Sequence, residues 1–436
     1  MVKAVMNRAS LISNGRGAGR SLLLATSLTR ALTAENNSQN AWNLNFSSGQ
    51  VNSNTKNNGN LFRAVAALGE EVKEGWLEAY YDCCKNKLGS RDCDEFRRNY
   101  ETGLWQLVAE VYGRTYRPGE GRRFVVTRPK RREVLAADFR DRIVHHWLYL
   151  RLNPLFEELH HSQGNVSHNC RKGFGTRSAV LSLREAMAQG GDEAWVAKFD
   201  IRHFFASIDR WRLWVRLRAF IEACYHGGDK DTVLWLTEKV LMAQSRDTGL
   251  PIGNLPSQIF ANFYLTEFDA VAVEFKARYK GFGYVRYVDD FAVVGRKGEI
   301  KEFRSRAATV LRSLGLEMHC DKVYVQQVRK GIVFVGTCIK QGRLYAGRRA
   351  VRGLHEALGR LAAEACRAEP CAVRLRHCTD SANSYLGATL WTRSYGIRRR
   401  AVARLPSEVW RHCHVRGSDL GALRYVGSEG LLDNRY

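Results

Sequence analysis

The sequence predicts an α+β fold built round a split β-α-β-β-α-β unit, and three observations carry that prediction. A strand candidate, WVAKFDI (195–201), precedes a long helical stretch. Two β-runs then meet at an acidic pair in GYVRYVDDFAVVG (283–295). A helix over 301–314 and the runs KVYVQQV (322–328) and GIVFVGTCI (331–339) complete the unit. In such a unit the first strand lies beside the third. A residue at the end of the first strand therefore comes next to the turn between the second and third.

The elements follow in chain order. Between Asn36 and Asn60 the segment carries ten asparagines, with Ser, Gly and Thr between them. Too few apolar residues are present there to offset the entropy of ordering, so residues 1–65 are expected to form a poorly ordered arm. From about 61 to 149 helical patterns dominate. The stretch 95–113 places Tyr100, Leu104, Leu107, Val108 and Val111 on one helical face. Arg117-Pro118-Gly119 breaks it, and FVVTRP (124–129) reads as a strand.

After the 195–201 strand, residues 256–275 read as one helix. Phe260, Phe263, Tyr264, Phe268 and Val271 share a face, with Pro256 in the first turn. In the 301–314 helix Phe303, Ala307, Val310, Leu311 and Leu314 recur at helical spacing, stopped by Gly315. Beyond Lys340 there is no lysine, yet 17 arginines face 8 acidic residues. Leu354, Leu358 and Leu361 mark an amphipathic helix in that basic tail.

The 436 residues suffice for two or three packed subdomains, and 45% hydrophobic content is ordinary for a globular chain. The net charge of +24 is the informative bulk number. So positive a surface favours polyanions and gains counterion-release free energy on phosphate backbones. No run of about 18 apolar residues is present to span a bilayer. The eleven cysteines form no C-x-x-C pairs, which leaves a zinc site without a ligand pattern. The N-terminus lacks a signal-peptide pattern, so a cytoplasmic protein with reduced thiols is expected.

The topology gives the acidic residues a geometry. With strand 195–201 beside the hairpin, Asp200 sits against Asp289 and Asp290. Three carboxylates so close repel one another unless cations neutralise them. Hard oxygen ligands suit Mg²⁺, and two such ions about 4 Å apart can activate a hydroxyl and stabilise a leaving pyrophosphate. A turn or capping role is the simpler alternative for any one of them. Adjacent aspartates flanked by β-branched and aromatic residues fit it poorly, because a polar turn usually contains Gly or Asn.

On these residues the chain resembles reverse transcriptases. FDIRHFFASID (199–209), GLPIGNLPSQIFANFYL (249–265) and YVDD (287–290) are similar to that family's A, B and C motifs. RPKRREVLAADFRDRIVHHWL (128–148) resembles the fingers motifs, and KGIVFVG (330–336) the primer-grip segment. The resemblance covers roughly residues 75–400. It implies a right-hand polymerase with fingers (66–190), a palm carrying the split sheet (191–340) and a helical, Arg-rich thumb and tail (341–436).

The resemblance also implies roles. Asp200, Asp289 and Asp290 would be the catalytic, metal-holding triad for two Mg²⁺ ions. Phe205 would be the steric gate against a 2′-hydroxyl, its competing role being that of a core phenylalanine. Ile201 would also border the deoxynucleotide. Lys130 and Arg132 would hold the triphosphate, their alternative being solvated basic residues. Lys322 would be a general acid toward pyrophosphate.

Within the family, Ile252-Gly253-Asn254-Leu255-Pro256-Ser257-Gln258 stands where most members have Q-G-x-x-x-S-P. That form, with Tyr116–Gly119 and CRKGFGT (170–176), resembles the enzymes of diversity-generating retroelements. These copy a template RNA into cDNA with errors opposite adenines, a process termed mutagenic retrohoming. Ile252 lacks the amide that could hydrogen-bond near the nascent base pair; simple packing is its other reading. Gly253, Asn254, Ser257 and Gln258 complete that fidelity and template segment.

Expected partners are template RNA, primer, cDNA, deoxynucleoside triphosphates and a small basic oligomeric accessory protein, with no membrane. AWNLNFSSGQVNSNTKNNGNLFRAV (41–65) resembles translated template repeat, and residues 1–65 are expected to precede the working start. SQGNVSHNC (162–170) departs from the family pattern. A group II intron-like or defence-associated reverse transcriptase, and a catalytically silent nucleic-acid-binding protein on the same fold, remain the alternatives.

Overall fold

The computed structural model describes residues 40–44, 51–55, 65, 68–85, 87–127, 131–243 and 248–426. It divides into two compact units, one of residues 1–151 with 227–240, the other of 152–226 with 241–436.

In the first unit, strands β1 (Asn40–Leu44) and β2 (Val51–Thr55) pair antiparallel, with Asn40 opposite Thr55. A paired ribbon thus stands inside the segment whose composition predicts no ordered structure. Backbone N–H and C=O groups can pair in a ladder whatever the composition of the segment. The rest of the arm lies outside the described residues.

Helices at Glu70–Cys84, Arg91–Arg97 and Tyr100–Tyr112 follow. The face predicted for the third is the buried one, with Leu104, Leu107, Val108 and Val111 fully enclosed. Trp76 stacks on Trp147 at 4.9 Å between ring centres. The Arg151 guanidinium lies over Trp147 at 3.8 Å and its Nε donates to Asp229 at 2.6 Å. Cys83, Cys84 and Cys93 are buried, and all eleven cysteines are free thiols. Strands β3 (Arg122–Val126) and β4 (Arg132–Ala136) form an antiparallel hairpin whose first strand is exposed throughout.

The second unit holds the split sheet. Its strands are β5 (Trp195–Asp200), β6 (Gly283–Tyr287), β7 (Asp290–Gly295) and β8 (Tyr324–Gln327), in the order β6-β7-β5-β8 and antiparallel throughout. The first strand lies beside the third, as the split topology requires. One face packs Val196, Val285, Ala292 and Val294 against the helix Thr176–Gly190 through Ala179, Val180, Leu183 and Met187. The other face stacks Phe199 on Phe291 at 5.2 Å, and Phe268 meets Phe291 edge-on at 5.0 Å.

The stretch predicted as one helix over 256–275 is two, Leu255–Tyr264 and Thr266–Arg278. The Thr266 hydroxyl donates to Phe263 O at 2.8 Å, and Arg216 Nη1 donates to Tyr264 O at 2.8 Å. Side chains thus satisfy carbonyls that a continuous helix would bond internally. The helix predicted over 301–314 runs Lys297–Ser313, and Gly315 follows at φ +72°, where a left-handed stop favours glycine.

Strands β9 (Ile332–Phe334), β10 (Thr337–Lys340) and β11 (Arg343–Ala346) make a second antiparallel sheet. Helices Arg348–Ala365, Ala372–Leu390 and Tyr395–Val402 enclose a core of Leu354, Leu358, Leu361, Leu375 and Leu386. This basic tail is not wholly helical. Strands β12 (Cys413–Arg416) and β13 (Ala422–Tyr425) pair in it, and Asn383 fastens them by accepting from Leu423 N at 2.6 Å and donating to Leu423 O at 2.8 Å.

Candidate active site

Strand alternation decides which side chains meet. On β5, Val196, Lys198 and Asp200 point to one face while Ala197 and Phe199 point to the other. Asp200 is the register partner of Asp290, and Phe199 of Phe291. Directly opposed residues share a face. The Phe199–Phe291 stack therefore anchors the two strands from behind while Asp200 and Asp290 stand together in front.

Asp289 belongs to the turn. Its carbonyl accepts from Ile201 N at 3.1 Å, and the Asp200 carbonyl accepts from His319 N at 2.8 Å. These bonds tie the end of β5 to the β6–β7 turn and to the segment before β8.

Two lysines neutralise this edge. Lys322 Nζ donates to Asp200 Oδ2 in an ion pair, and Lys198 Nζ lies 3.5 Å from Asp290 Oδ1. Burial pushes the Asp290 carboxyl above its ordinary value. Lys198 and Lys322 pull it down, and the negative Asp200 pushes it up. The all-oxygen donor set fits a hard divalent cation in kind. In the observed side-chain positions, however, no group of three or more His, Cys, Asp or Glu among the described residues is arranged to hold a metal ion. Ion binding would have to draw the carboxylates away from their lysines.

The β6–β7 loop has two residues, Val288 and Asp289, between the register partners Tyr287 and Asp290. Val288 has φ +59° and Asp289 does not share the positive sign. That is the φ pattern of a type II′ turn, whose first central position ordinarily takes glycine. A β-branched residue there is strained.

A buried polar cluster lies behind the turn. Asp269 accepts from Arg286 Nε at 2.8 Å and from Arg286 Nη2, both side chains being fully buried. Arg286 Nη1 donates to Val288 O at 3.2 Å and Nη2 to Asn262 Oδ1 at 3.0 Å. Asn169 Oδ1 accepts from Val288 N at 2.9 Å.

The remaining predicted residues divide as follows. Phe204 is the core phenylalanine, whereas Phe205 is half-buried, its ring edge-on to Phe204 at 5.4 Å. Phe205 O accepts from Leu250 N and Ile208 O from Gly249 N, both at 2.8 Å. These bonds lay the start of the 249–265 segment along the 205–208 backbone. Ile201 is buried and Ile252 half-buried. Gly253 is exposed with φ +114°, Asn254 precedes the helix Leu255–Tyr264, Ser257 is buried and Gln258 half-buried. Arg132 begins β4 in the first unit, exposed. Lys130 lies outside the described residues.

Sequence reasoning missed Lys198 and Asn169. The first was findable, since a lysine two residues before a strand aspartate shares its face. The second depends on a contact between segments 119 residues apart.

A split sheet with paired carboxylates where its central strands meet a tight turn defines the palm of a right-hand polymerase, and the fold is of that class. Residues 128–339 match the family model for reverse transcriptase (RNA-dependent DNA polymerase), so this part of the chain is a reverse transcriptase domain. Such domains are nucleotidyltransferases that use divalent metal ions.

Among solved structures the chain is similar to apo telomerase from Candida tropicalis, at 12% identity over 66% of this chain and 59% of that one, TM-score 0.43. It is similar also to telomerase from Candida albicans in complex with a TWJ fragment of telomeric RNA, at 13% identity over 72% and 60%, TM-score 0.42. The chain thus spans about three fifths of either telomerase chain, 59% and 60%. No curated protein matches it. Among the described residues no helix is long and apolar enough to cross a membrane.

Proposed function

We propose that this protein is an RNA-directed DNA polymerase that copies a template RNA into cDNA with errors at template adenines, as in a diversity-generating retroelement. The observation that carries the polymerase reading is the pairing of Asp200 with Asp290 across β5 and β7, with Asp289 in the adjoining turn. Asp200, Asp289 and Asp290 would hold two Mg²⁺ ions. When bound, these supply charge neutralisation for the entering triphosphate and acidify the primer hydroxyl.

The chain's own residues do the rest. Lys130 and Arg132 bind the triphosphate. Phe205, half-buried while Phe204 fills the core, is the ring left to exclude a 2′-hydroxyl. Ile201 borders the sugar. Lys322, paired with Asp200, is released to give a proton to the departing pyrophosphate. Ile252, with Gly253, Asn254, Ser257 and Gln258, borders the nascent base pair, where its apolar side chain withholds a hydrogen bond. The net charge of +24 favours the nucleic-acid partners. A small basic oligomeric accessory protein completes the assembly in the cytoplasm.

Primer extension on an RNA template with Mg²⁺ tests the polymerase reading. Wild type extends and Asp289→Ala does not; equal product from both overturns it. Single-nucleotide insertion tests the finer reading. Ile252→Gln lowers misincorporation opposite adenine, and an unchanged error rate rejects that part alone.

A further inference from the structure

We infer that Asn169 is a positioning residue for the acidic turn, holding Val288 in its left-handed conformation from a loop distant in sequence. This rests on the polymerase reading only where it concerns rate.

The geometry is specific. Val288 carries a positive φ that its β-branched side chain disfavours, and both of its backbone polar groups are taken by side chains. Asn169 Oδ1 accepts from its N–H at 2.9 Å, and Arg286 Nη1 donates to its carbonyl at 3.2 Å. Asn169 is itself fixed. It is buried, its carbonyl accepts from Asn262 Nδ2 at 3.3 Å, and Ser167 Oγ lies 3.2 Å from its Oδ1.

Its loop is fastened to β6 along the backbone. Arg286 N donates to Val166 O and His168 N to Arg286 O, each at 2.9 Å. Arg171 locks the loop further, donating to Ser167 O at 2.8 Å and to Asn165 Oδ1 at 2.7 Å. The segment 162–170, which departs from the family pattern, thereby acquires a task. It supplies the acceptor that a turn without glycine needs.

Removing that acceptor should loosen the turn. Asn169→Leu keeps the branched shape and loses the hydrogen bond. Deuterium uptake in a peptide covering 284–291 should rise, while uptake in one covering 332–339 stays the same. The kcat for primer extension should fall about ten- to a hundredfold, the scale of a misplacement near 1 Å, with the KM for deoxynucleotide within about twofold. Asn169→Asp, which retains an acceptor, should restore both.

Val288→Gly supplies the decisive background. Glycine adopts the turn unaided, so Asn169→Leu should cost much less rate there. Unchanged uptake in Asn169→Leu, or an equal rate loss with and without the Val288→Gly substitution, overturns the inference. Thermal melting establishes folding, and Asn169→Ala is read by the same exchange criterion should Asn169→Leu not fold. Asp289→Ala assayed in parallel keeps the two claims apart: wild-type extension by that variant would remove the polymerase reading while the exchange result still decides the tether.

Discussion

Two hairpins of the second unit close with two-residue loops that begin with valine, and they solve the same backbone problem differently. In the β9–β10 loop, Val335 at φ +38° is followed by Gly336 at φ +86°, between the register partners Phe334 and Thr337. Positive φ at both positions is the pattern of a type I′ turn, and glycine supplies much of the freedom required. In the β6–β7 loop, Val288 at φ +59° is followed by Asp289, and neither loop residue is glycine. There both backbone groups of the left-handed valine are held from outside, by Asn169 and Arg286. Glycine relieves one of the two left-handed positions in the first turn, whereas in the acidic turn support comes from neighbouring side chains.

The comparison is broken most severely at the carboxylates. Asp290→Asn should lower primer extension roughly a thousandfold or more, the rate equivalent of several kcal/mol of lost transition-state stabilisation. The melting temperature should hold, since the side chain stays isosteric. Next comes the buried pair behind the turn. Asp269→Leu strands the Arg286 guanidinium without its partner and should cost about 3–5 kcal/mol in urea unfolding. A loss below about 1 kcal/mol would mean that the pair does not hold the turn.

Acid should reach the β6–β7 turn as well. Burial, aided by the positive Arg286 and Arg171, pushes His160 down to about 3, and burial with the same arginines brings His168 to about 4. Neutral His160 suits its place, because Nε2 faces the Asn262 amide at 3.1 Å. In the unfolded chain these rings titrate near ~6.5. Between the folded and unfolded values the unfolded chain binds more protons, so stability falls as pH drops from about 6.5 toward 3. The urea midpoint should fall over that window, and His160→Gln should flatten the decline. The smallest effect belongs to the glycine-containing turn. Gly336→Ala should cost about 1–2 kcal/mol for a left-handed alanine and leave deuterium uptake at 284–291 as it was.

The sequence makes the frame of this site legible and leaves its supports hidden. Short runs rich in β-branched and aromatic residues in 195–200 and 283–295 mark the strands, and the split topology then brings Asp200 beside Asp290. Residue type and order suffice for that, because strand pairing is dictated by which faces are apolar. The break at Leu265 escapes the same logic. The apolar stripe runs straight through it, and the interruption rests on Thr266 and Arg216, the latter from another helix. Asn169 escapes for a similar reason: a polar residue in a loop has many possible partners, and only the fold selects Val288. The β12–β13 ribbon was hidden by arginine-rich composition, which carries little periodic signal.

The lysine pairs carry a consequence for how the molecule comes into being. With Lys322 on Asp200 and Lys198 beside Asp290, mutual repulsion at the sheet edge is relieved by groups the polypeptide brings itself. On the proposed polymerase reading, acquiring its shape and acquiring its ions would therefore be separable events. A newly made chain would reach its final form in a chelating medium, with Lys198 and Lys322 beside the carboxylates that Mg²⁺ would later take.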